Sequence, residues 1–355
     1  MLYDLFCGVD ISARTFTAAT LSAQPNAVVQ KALDFKQTPT DFAGLADRLL
    51  AKNQRAARVL VVLEATGMYW IELASYLVER GLKVSVVNPK HSHNFARALG
   101  QRHKNDAVDA QMLAQMGASL ARSLTLWTPP PAIYRELYQR LMLRQSLLET
   151  RKALANQLQA LPKTQAVSSV VAHYQSLLAD LDGRLKNLQK EIEKVLAGEP
   201  KWAATVGRLK TIPGVGWVSA VWLVVITLNF TTCPSPEALT QYIGLAPTER
   251  TSGTSVRGRA RLGGGGHALM RSILYMAAGT AMRWTPARKS YAARLRAEQG
   301  KAPKVVRCAV ARKLIHLAFA LVKNECDFEA DYRPKPVSKG QSAGSDVAIP
   351  SEAVA

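Results

Sequence analysis

Three consecutive prolines, Pro129 to Pro131, interrupt the chain after about a third of its length. Proline has no backbone N–H group and its ring clashes with the preceding turn, so no helix or central strand can run through this stretch. The 355 residues of the chain also exceed the roughly 250–300 at which a single hydrophobic core stops growing. The sequence therefore predicts more than one domain, with a boundary at the prolines.

Short β-rich segments alternate with helical patterns in residues 1–127, which indicates an α/β domain. Strands are predicted at residues 5–11, 15–21, 27–35, 59–63 and 83–87. Helices are predicted at 40–51, with Thr40 as the N-cap, at 69–80, and from 104 onwards. The predicted order is βββαβαβα.

Leucines recur every three or four residues at 134–161 and 176–196, among charged and amide side chains. This spacing predicts long amphipathic helices that form an antiparallel hairpin or a coiled coil within residues 128–200. A third, mainly α-helical domain is expected at 201–326. The tail at 327–355 is rich in Pro, Ser, Gly and Ala and is predicted to be disordered.

Positive charge is concentrated in the C-terminal half. The net charge is +20, and residues 201–325 contain 19 Lys and Arg against 4 Asp and Glu, whereas the preceding segments are nearly balanced. Residues 250–313 contain 15 basic residues and a single acid, Glu298. Such a density of like charge repels itself unless anions neutralise it. We therefore expect a polyanion as partner.

Other classes of protein are disfavoured by what the sequence lacks. The longest apolar run, 215–228, contains Gly216, Trp217 and Ser219 and is shorter than the roughly 18 residues of a membrane span. The N-terminus has no export signal, and the four cysteines have neither metal-like nor disulfide-like spacing. We expect a reduced, cytoplasmic protein that does not associate with a membrane.

Four carboxylates of the first domain stand where strands end or a helix begins. Asp10 and Glu64 each end a buried apolar strand, and Asp106 and Asp109 lie on one face at the start of the last helix. Carboxylates at one sheet edge resist ionising together unless a cation joins them. Oxygen donors without clustered His or Cys favour Mg²⁺, with Mn²⁺ as the second choice. A carboxylate-bound pair of such ions is a known catalyst of phosphodiester cleavage.

Two segments of the basic half are predicted to bind phosphate. The turn at Lys210, Gly214 and Gly216 resembles a helix-hairpin-helix element, whose free N–H groups at a helix N-terminus bind backbone phosphate. The following segment is predicted to be a flexible loop that presents Ser252 and Ser255 among arginines. From these residues alone the two serines cannot be distinguished as nucleophiles. The arginines predicted to contact nucleic acid are Arg250, Arg257, Arg259, Arg261 and Arg271.

These motifs together resemble the IS110 family of insertion-sequence transposases, which are guided by a bridge RNA. The resemblance covers residues 5–325 and rests on the motifs Gly8-Val9-Asp10-Ile11-Ser12, Glu64-Ala65-Thr66-Gly67, Val87-Asn88-Pro89, Lys104-Asn105-Asp106-Ala107-Val108-Asp109-Ala110 and Ser252-Gly253 with Leu269-Met270-Arg271. It implies a ribonuclease-H-like (RuvC-like) nuclease domain at 1–127, a coiled coil, and a serine transposase domain.

The resemblance also implies roles for individual residues. Asp10, Glu64, Asp106 and Asp109 would bind the metal, and Ser252 would form a covalent phosphoserine bond to a DNA end. The protein would be a DNA recombinase that excises and inserts its own mobile element. Donor and target DNA would pair with a noncoding bridge RNA, and the enzyme would act as a homo-oligomer, either a dimer or a tetramer, at the prokaryotic nucleoid.

Two other functions remain open from the sequence. A metal-dependent endonuclease of the Holliday-junction type would use the same four acids and need no serine. A non-catalytic nucleic-acid-binding protein would contain the nuclease fold without activity.

Overall fold

The computed structural model describes residues 2–51, 54–101, 105–252, 256–263 and 265–330. Contacts divide the chain into two compact units, Met1–Pro131 and Ala132–Ala355. The division falls at the three prolines. A separate linker domain at 128–200 and serine domain at 201–326 stay predictions, and most of the predicted tail lies outside the described residues.

A five-stranded mixed sheet forms the centre of the first unit, in the order β3-β2-β1-β4-β5. Its strands are β1 Leu5–Ile11, β2 Thr15–Ser22, β3 Leu33–Lys36, β4 Val59–Glu64 and β5 Lys83–Val87. Strands β1, β2 and β3 pair antiparallel, whereas β4 lies parallel to β1 and β5 parallel to β4. The α/β prediction is confirmed, and β3 is shorter than the predicted 27–35.

Both faces of the central strands β1 and β4 are buried. The helices of the first unit are α1 Pro39–Leu49, α2 Trp70–Glu79, α3 Pro89–Ala98 and α4 Asp106–Leu120. Val61 and Leu63 of β4 pack with α1 and α2, whereas Leu60 and Val62 pack with Met112 and Met116 of α4. Alternate side chains of β4 thus enter two different cores, which is why the strand is apolar throughout.

One local prediction for this unit was wrong, and one helix had not been predicted. Thr38, rather than Thr40, is the N-cap of α1, because Pro39 occupies the first helical position and the Thr38 side chain accepts a hydrogen bond from the Asp41 N–H group. Helix α3 was not predicted. Its only buried residue is Ser92, and Phe95 is its single large apolar side chain, so too few apolar residues mark the helix, although Asn88 and Pro89 form a typical helix start.

The second unit is mainly helical. Its elements are α5 Ala132–Ala160, α6 Ser168–Ala197, α7 Pro200–Lys210, α8 Trp217–Ile226, α9 Pro236–Ile243, β6 Pro247–Ser252, β7 Val256–Leu262, α10 Ala268–Trp284, α11 Pro286–Ala297 and α12 Pro303–Lys323. Helices α5 and α6 form an antiparallel hairpin, in which Arg151 Nη2 donates to Asp182 Oδ2 at 3.0 Å. The stricter prediction of a coiled coil stays a prediction.

One core joins the hairpin to the other helices of the second unit. Leu137 and Leu141 of α5 and Ile192 of α6 belong to the same buried cluster as Trp222 of α8. Residues Ala220 to Ile226 of α8 are all buried, which accounts for the continuous apolar run in the sequence. No helix in the described part of the chain is long and apolar enough to cross a membrane.

The predicted flexible loop at the serine is instead a two-stranded ribbon. Strands β6 and β7 pair antiparallel, with Pro247 opposite Leu262 at the base and Ser252 opposite Val256 near the tip. The prediction was wrong because it gave more weight to the glycines than to the β-branched Thr248, Thr251 and Val256, which favour strands.

Candidate functional site

Asp10 and Glu64 leave the sheet at the same edge. Strands β1 and β4 are parallel neighbours, with Val9 beside Leu63, so the next residue of each strand is one of the two acids. Both side chains are half-buried. The sequence-based expectation that these carboxylates emerge together therefore follows from the observed register.

Helix α4 brings the other two acids to this edge. A Cβ atom at Gly8 would lie 2.1 Å from Ala110 O and 2.2 Å from Ala114 N, so only glycine lets α4 approach β1 this closely. Asn105 Oδ1 accepts a hydrogen bond from the Val108 N–H group at 2.8 Å and caps the helix. Asp106 and Asp109 occupy the first turn, where the partial positive charge of a helix N-terminus favours carboxylates.

The four acids line one cavity of about 850 Å³. The pKa of Asp10 is raised to about 6, first because burial disfavours its charged form. The negative charges of the other three acids raise this pKa further, in the order Asp106, Asp109 and Glu64. The first unit therefore contains a concentrated patch of negative charge, although the whole chain is strongly basic.

Hydroxyl groups hold the Glu64 carboxylate in place. Ser92 Oγ donates to Glu64 Oε2 at 2.6 Å, and Thr66 Oγ1 donates to Glu64 Oε1 at 2.7 Å. Sequence reasoning did not assign a role to either residue. Thr66 lies in the quoted motif after β4, but Ser92 is in the unpredicted helix α3 and gave no signal.

No group of three or more Asp, Glu, His or Cys side chains within the described residues already has the arrangement of a metal site. The donor set nevertheless suits a hard divalent cation. Gln101 Oε1 lines the same cavity and is buried with no hydrogen-bond partner among the described residues. Carboxylate and amide oxygens are the donors that Mg²⁺ and Mn²⁺ prefer.

In the second unit, Ser252 is the last residue of β6. Ser255, the alternative nucleophile, lies outside the described residues. Three of the predicted nucleic-acid contacts, Arg257, Arg259 and Arg261, occupy alternate positions of β7, and Arg250 lies on β6. The ribbon thus places Ser252 and these arginines in one short element.

A tight packing of loops holds the base of the ribbon. Gly244 has a φ of +82°, and a Cβ atom there would lie 2.3 Å from Gly265 O. Arg271 Nη1 donates to Ile243 O at 3.1 Å and also to Gly265 O. This guanidinium group therefore joins the segments that precede β6 and follow β7. A contact between Arg271 and nucleic acid stays a prediction.

The turn between α7 and α8 contains the other predicted phosphate contacts. Gly214 has a φ of +96°, and a Cβ atom there would lie 2.5 Å from Ala277 O of α10. Glycine at 214 is thus explained by close packing. Gly216 is exposed and precedes α8, and Lys210 is exposed at the end of α7. Phosphate binding at this turn stays a prediction.

Two family models match the chain. One, named DEDD_Tnp_IS110 and described as a transposase, matches residues 7–164, a range that contains all four acids. The other, described as "Transposase IS116/IS110/IS902 family", matches residues 206–293 and contains Ser252.

Curated relatives match all or part of the chain. The pilin gene-inverting protein of Moraxella lacunata is 27% identical over 326 residues, which cover 91% of this chain and 97% of that protein. The insertion element IS110 uncharacterized 43.6 kDa protein of Streptomyces coelicolor is 31% identical over 178 residues, or 50% of this chain and 42% of that protein.

A solved structure, T. thermophilus RuvC in complex with Holliday junction substrate, also resembles the chain. The identity is 14% and the TM-score 0.25, with 35% of this chain and 99% of that chain covered. At this TM-score the likeness adds nothing to the strand order observed in the first unit.

Proposed function

Because this chain belongs to the IS110 family of transposases, and is thus an enzyme that cleaves DNA and transfers its strands, we propose that it excises and inserts its own mobile element. The observation that carries this proposal is the convergence of Asp10, Glu64, Asp106 and Asp109 on one cavity. The strand order β3-β2-β1-β4-β5 supports a ribonuclease-H-like, RuvC-like nuclease domain for the first unit.

A divalent metal is the cofactor that the donor set suits. Asp10, Glu64, Asp106 and Asp109 would hold Mg²⁺ or Mn²⁺, and the buried oxygen of Gln101 is available as a further donor. A bound ion of this kind activates a nucleophile and stabilises the leaving oxygen at phosphorus. The chain's own contribution is to position the acids: Gly8 admits α4, Asn105 caps it, and Ser92 and Thr66 orient Glu64.

Ser252 is the proposed nucleophile of the second unit. Its hydroxyl oxygen would form a bond to a DNA phosphorus as the bond between that phosphorus and a sugar oxygen breaks. The hydroxyl would lose its proton, and the released sugar oxygen would gain one and leave as the free hydroxyl of the cut strand. Guanidinium groups bind phosphate bidentately and stabilise developing negative charge. The arginines of β6 and β7 are therefore suited to this role.

A guide RNA and a second subunit complete the proposal. A noncoding bridge RNA would pair with donor and target DNA, so that the protein recognises backbone and shape while base pairing supplies the sequence. Acids and serine belong to different structural units. In a dimer or tetramer, the acids of one subunit can act together with the serine of another.

DNA inversion is a second candidate function, favoured by one comparison. The Moraxella lacunata relative, which aligns over nearly its whole length, is named a pilin gene-inverting protein. Inversion and transposition share strand cleavage and rejoining and differ in the arrangement of the DNA sites. A plasmid with two sites in inverted or direct orientation would distinguish them by its products.

Trapping of a covalent adduct tests the proposed nucleophile. Purified protein is incubated with candidate RNA, labelled DNA and Mg²⁺, then denatured and resolved on a gel. The wild type should give a labelled protein band, which Ser252→Ala should abolish and the matched control Ser255→Ala should retain. An adduct retained by Ser252→Ala and lost in Ser255→Ala would identify the other hydroxyl. Cleavage without any adduct would favour the Holliday-junction type of endonuclease.

A further inference from the structure

A second cavity, of about 770 Å³, lies in the second unit between the base of the serine ribbon and α12. Pro247 and Leu262, the paired residues at the ribbon base, form part of its wall. Residues of α12 from Lys304 to His316 form another part. None of the predicted nucleic-acid contacts except Arg261 lies in this cavity.

The wall of this cavity is strongly cationic. Its basic residues are Arg261, Lys301, Lys304, Arg312 and Lys313, and no carboxylate is among the residues that line it. None of the five forms an ion pair with any described residue. One carboxylate, Glu237, approaches the rim, where its Oε1 lies 3.8 Å from His316 Nδ1. Five cations around one cavity, of which only Arg312 interacts with the nearby carboxylate of Glu237, repel one another, so an anion bound there would stabilise the fold.

The first turn of α12 strengthens this conclusion. A helix N-terminus carries a partial positive charge and normally attracts acidic residues. Helix α12 instead has no acid in its first turn, no side-chain cap at Ala302, and Lys301 and Lys304 at its start. This arrangement is unfavourable in isolation, and it becomes favourable when a phosphate binds at the helix N-terminus.

The same cavity also offers an apolar surface. Val305 and Leu262 line it and are 53% and 40% exposed, so both side chains are accessible to a ligand. Tyr291 lines it as well, and Arg294 lies over the Tyr291 ring at 5.6 Å from its centroid. Cations beside an aromatic ring and an apolar surface are the usual combination for binding single-stranded nucleic acid, whose bases are free to stack.

We propose that this cavity binds an unpaired segment of nucleic acid, with phosphates on Lys301, Lys304, Arg312 and Lys313 and a base against Tyr291 and Val305. The five residue steps from Pro247 to Ser252 span about 17 Å at 3.4 Å per residue. A strand held at the ribbon base is therefore within a few nucleotides of the proposed nucleophile. The inference deepens the proposed function and depends on it only for the role of the bound strand.

The salt dependence of binding tests the cationic wall. Fluorescence anisotropy is measured with a labelled single-stranded DNA oligonucleotide and with a duplex of the same length, at several salt concentrations. Each cation that neutralises a single-strand phosphate contributes about 0.7 to the slope of log K against log salt. Lys304→Gln combined with Lys313→Gln should lower the single-strand slope by about 1.4. The matched control, Lys186→Gln combined with Lys190→Gln on the exposed side of α6, should leave it within error.

Substitution of Tyr291 tests the base contact. Tyr291→Leu should weaken single-strand binding by at least about fivefold without changing the salt slope, because a stacked base contributes roughly 1–3 kcal/mol. Tyr291→Phe retains the ring and should bind like the wild type. The proposal is overturned if the α12 double variant retains the wild-type slope, if its slope loss is larger for duplex than for single strand, or if Tyr291→Leu and Tyr291→Phe bind equally.

These outcomes are separable from those of the adduct assay. A double variant that binds normally while Ser252 still forms an adduct would refute the cavity and leave the recombinase intact. A lowered salt slope in a protein that forms no adduct with any DNA would support the cavity and refute the proposed nucleophile.

Discussion

Replacing Asp10 with asparagine should stabilise the metal-free protein at neutral pH. Burial and three neighbouring acids raise the pKa of Asp10 from 3.8 to about 6 in the folded state. Because the folded pKa is the higher one, the folded protein binds more protons than the unfolded chain between about pH 4 and pH 6. Stability therefore falls as the pH rises through this window. An amide carries no charge, so the variant does not lose this stability.

The size of the effect follows from the pKa shift. A shift of about two units corresponds to about 3 kcal/mol in the free energy of unfolding, at 1.36 kcal/mol per unit. Asp10 is only half-buried, and solvent screening reduces this value to about 1–2 kcal/mol. We expect Asp10→Asn to be more stable than the wild type by that amount at pH 7 and equally stable below pH 4.

Hydrogen exchange measures this difference within the first unit. Peptides that cover β1 and β4 should exchange roughly 5–30 times more slowly in Asp10→Asn than in the wild type, at pH 7 with EDTA present. Asp47→Asn is the matched control, because Asp47 is exposed and paired with Arg80 at 2.7 Å. Equal protection in Asp10→Asn and Asp47→Asn at pH 7 would refute the electrostatic argument, as would a difference that persists unchanged below pH 4.

Three further substitutions test the parts that position the two sites. Gly8→Ala places a Cβ atom against the backbone of α4 and should lower the stability of the fold by about 1–3 kcal/mol, as measured in a thermal melt. Gly44→Ala, whose Cβ meets open space in α1, should not destabilise the protein. Ser92→Ala should weaken Mn²⁺ binding about tenfold or more without lowering the melting temperature, because it removes the donor to Glu64; unchanged affinity would contradict this role. Gly244→Ala should destabilise the protein by about 1–3 kcal/mol, because the φ of Gly244 is +82° and Gly265 O is close. The variant should also reduce the adduct yield. Gly183→Ala, whose Cβ meets open space, should change neither the stability nor the yield.

The sheet of the first unit could be predicted largely from sequence. Strands β1 and β5 have the predicted bounds, because runs such as Lys83–Val87 are short, apolar and bounded by turn residues. Helix α3 was missed because it buries only Ser92 and has few apolar residues, although Asn88 and Pro89 are a typical helix start, in which the Asn88 side chain accepts a hydrogen bond from the Lys90 N–H group. Its contribution to the site, the hydrogen bond to Glu64, was hidden for the same reason.

All four acids of the candidate site were candidates from the sequence, but only the meeting of Asp10 and Glu64 could be argued from where strands end. Asp10 and Glu64 meet because parallel neighbours end at one edge, a rule that needs only the strand order. The approach of α4 depends on Gly8 facing a helix backbone, and the buried oxygen of Gln101 depends on a loop conformation. Neither has a local sequence pattern. The ribbon of β6 and β7 was missed because the glycines of this segment were given more weight than its β-branched residues.

A titration with Mn²⁺ tests the central claim, that the four carboxylates form a divalent-metal site. Bound Mn²⁺ is counted by electron paramagnetic resonance of the free ion, with wild type, Glu64→Gln and the matched control Glu79→Gln, whose carboxylate is exposed on α2. We predict saturable binding to the wild type and to Glu79→Gln, and a loss of at least tenfold in affinity for Glu64→Gln. Equal binding by all three proteins, or none by the wild type, would contradict it.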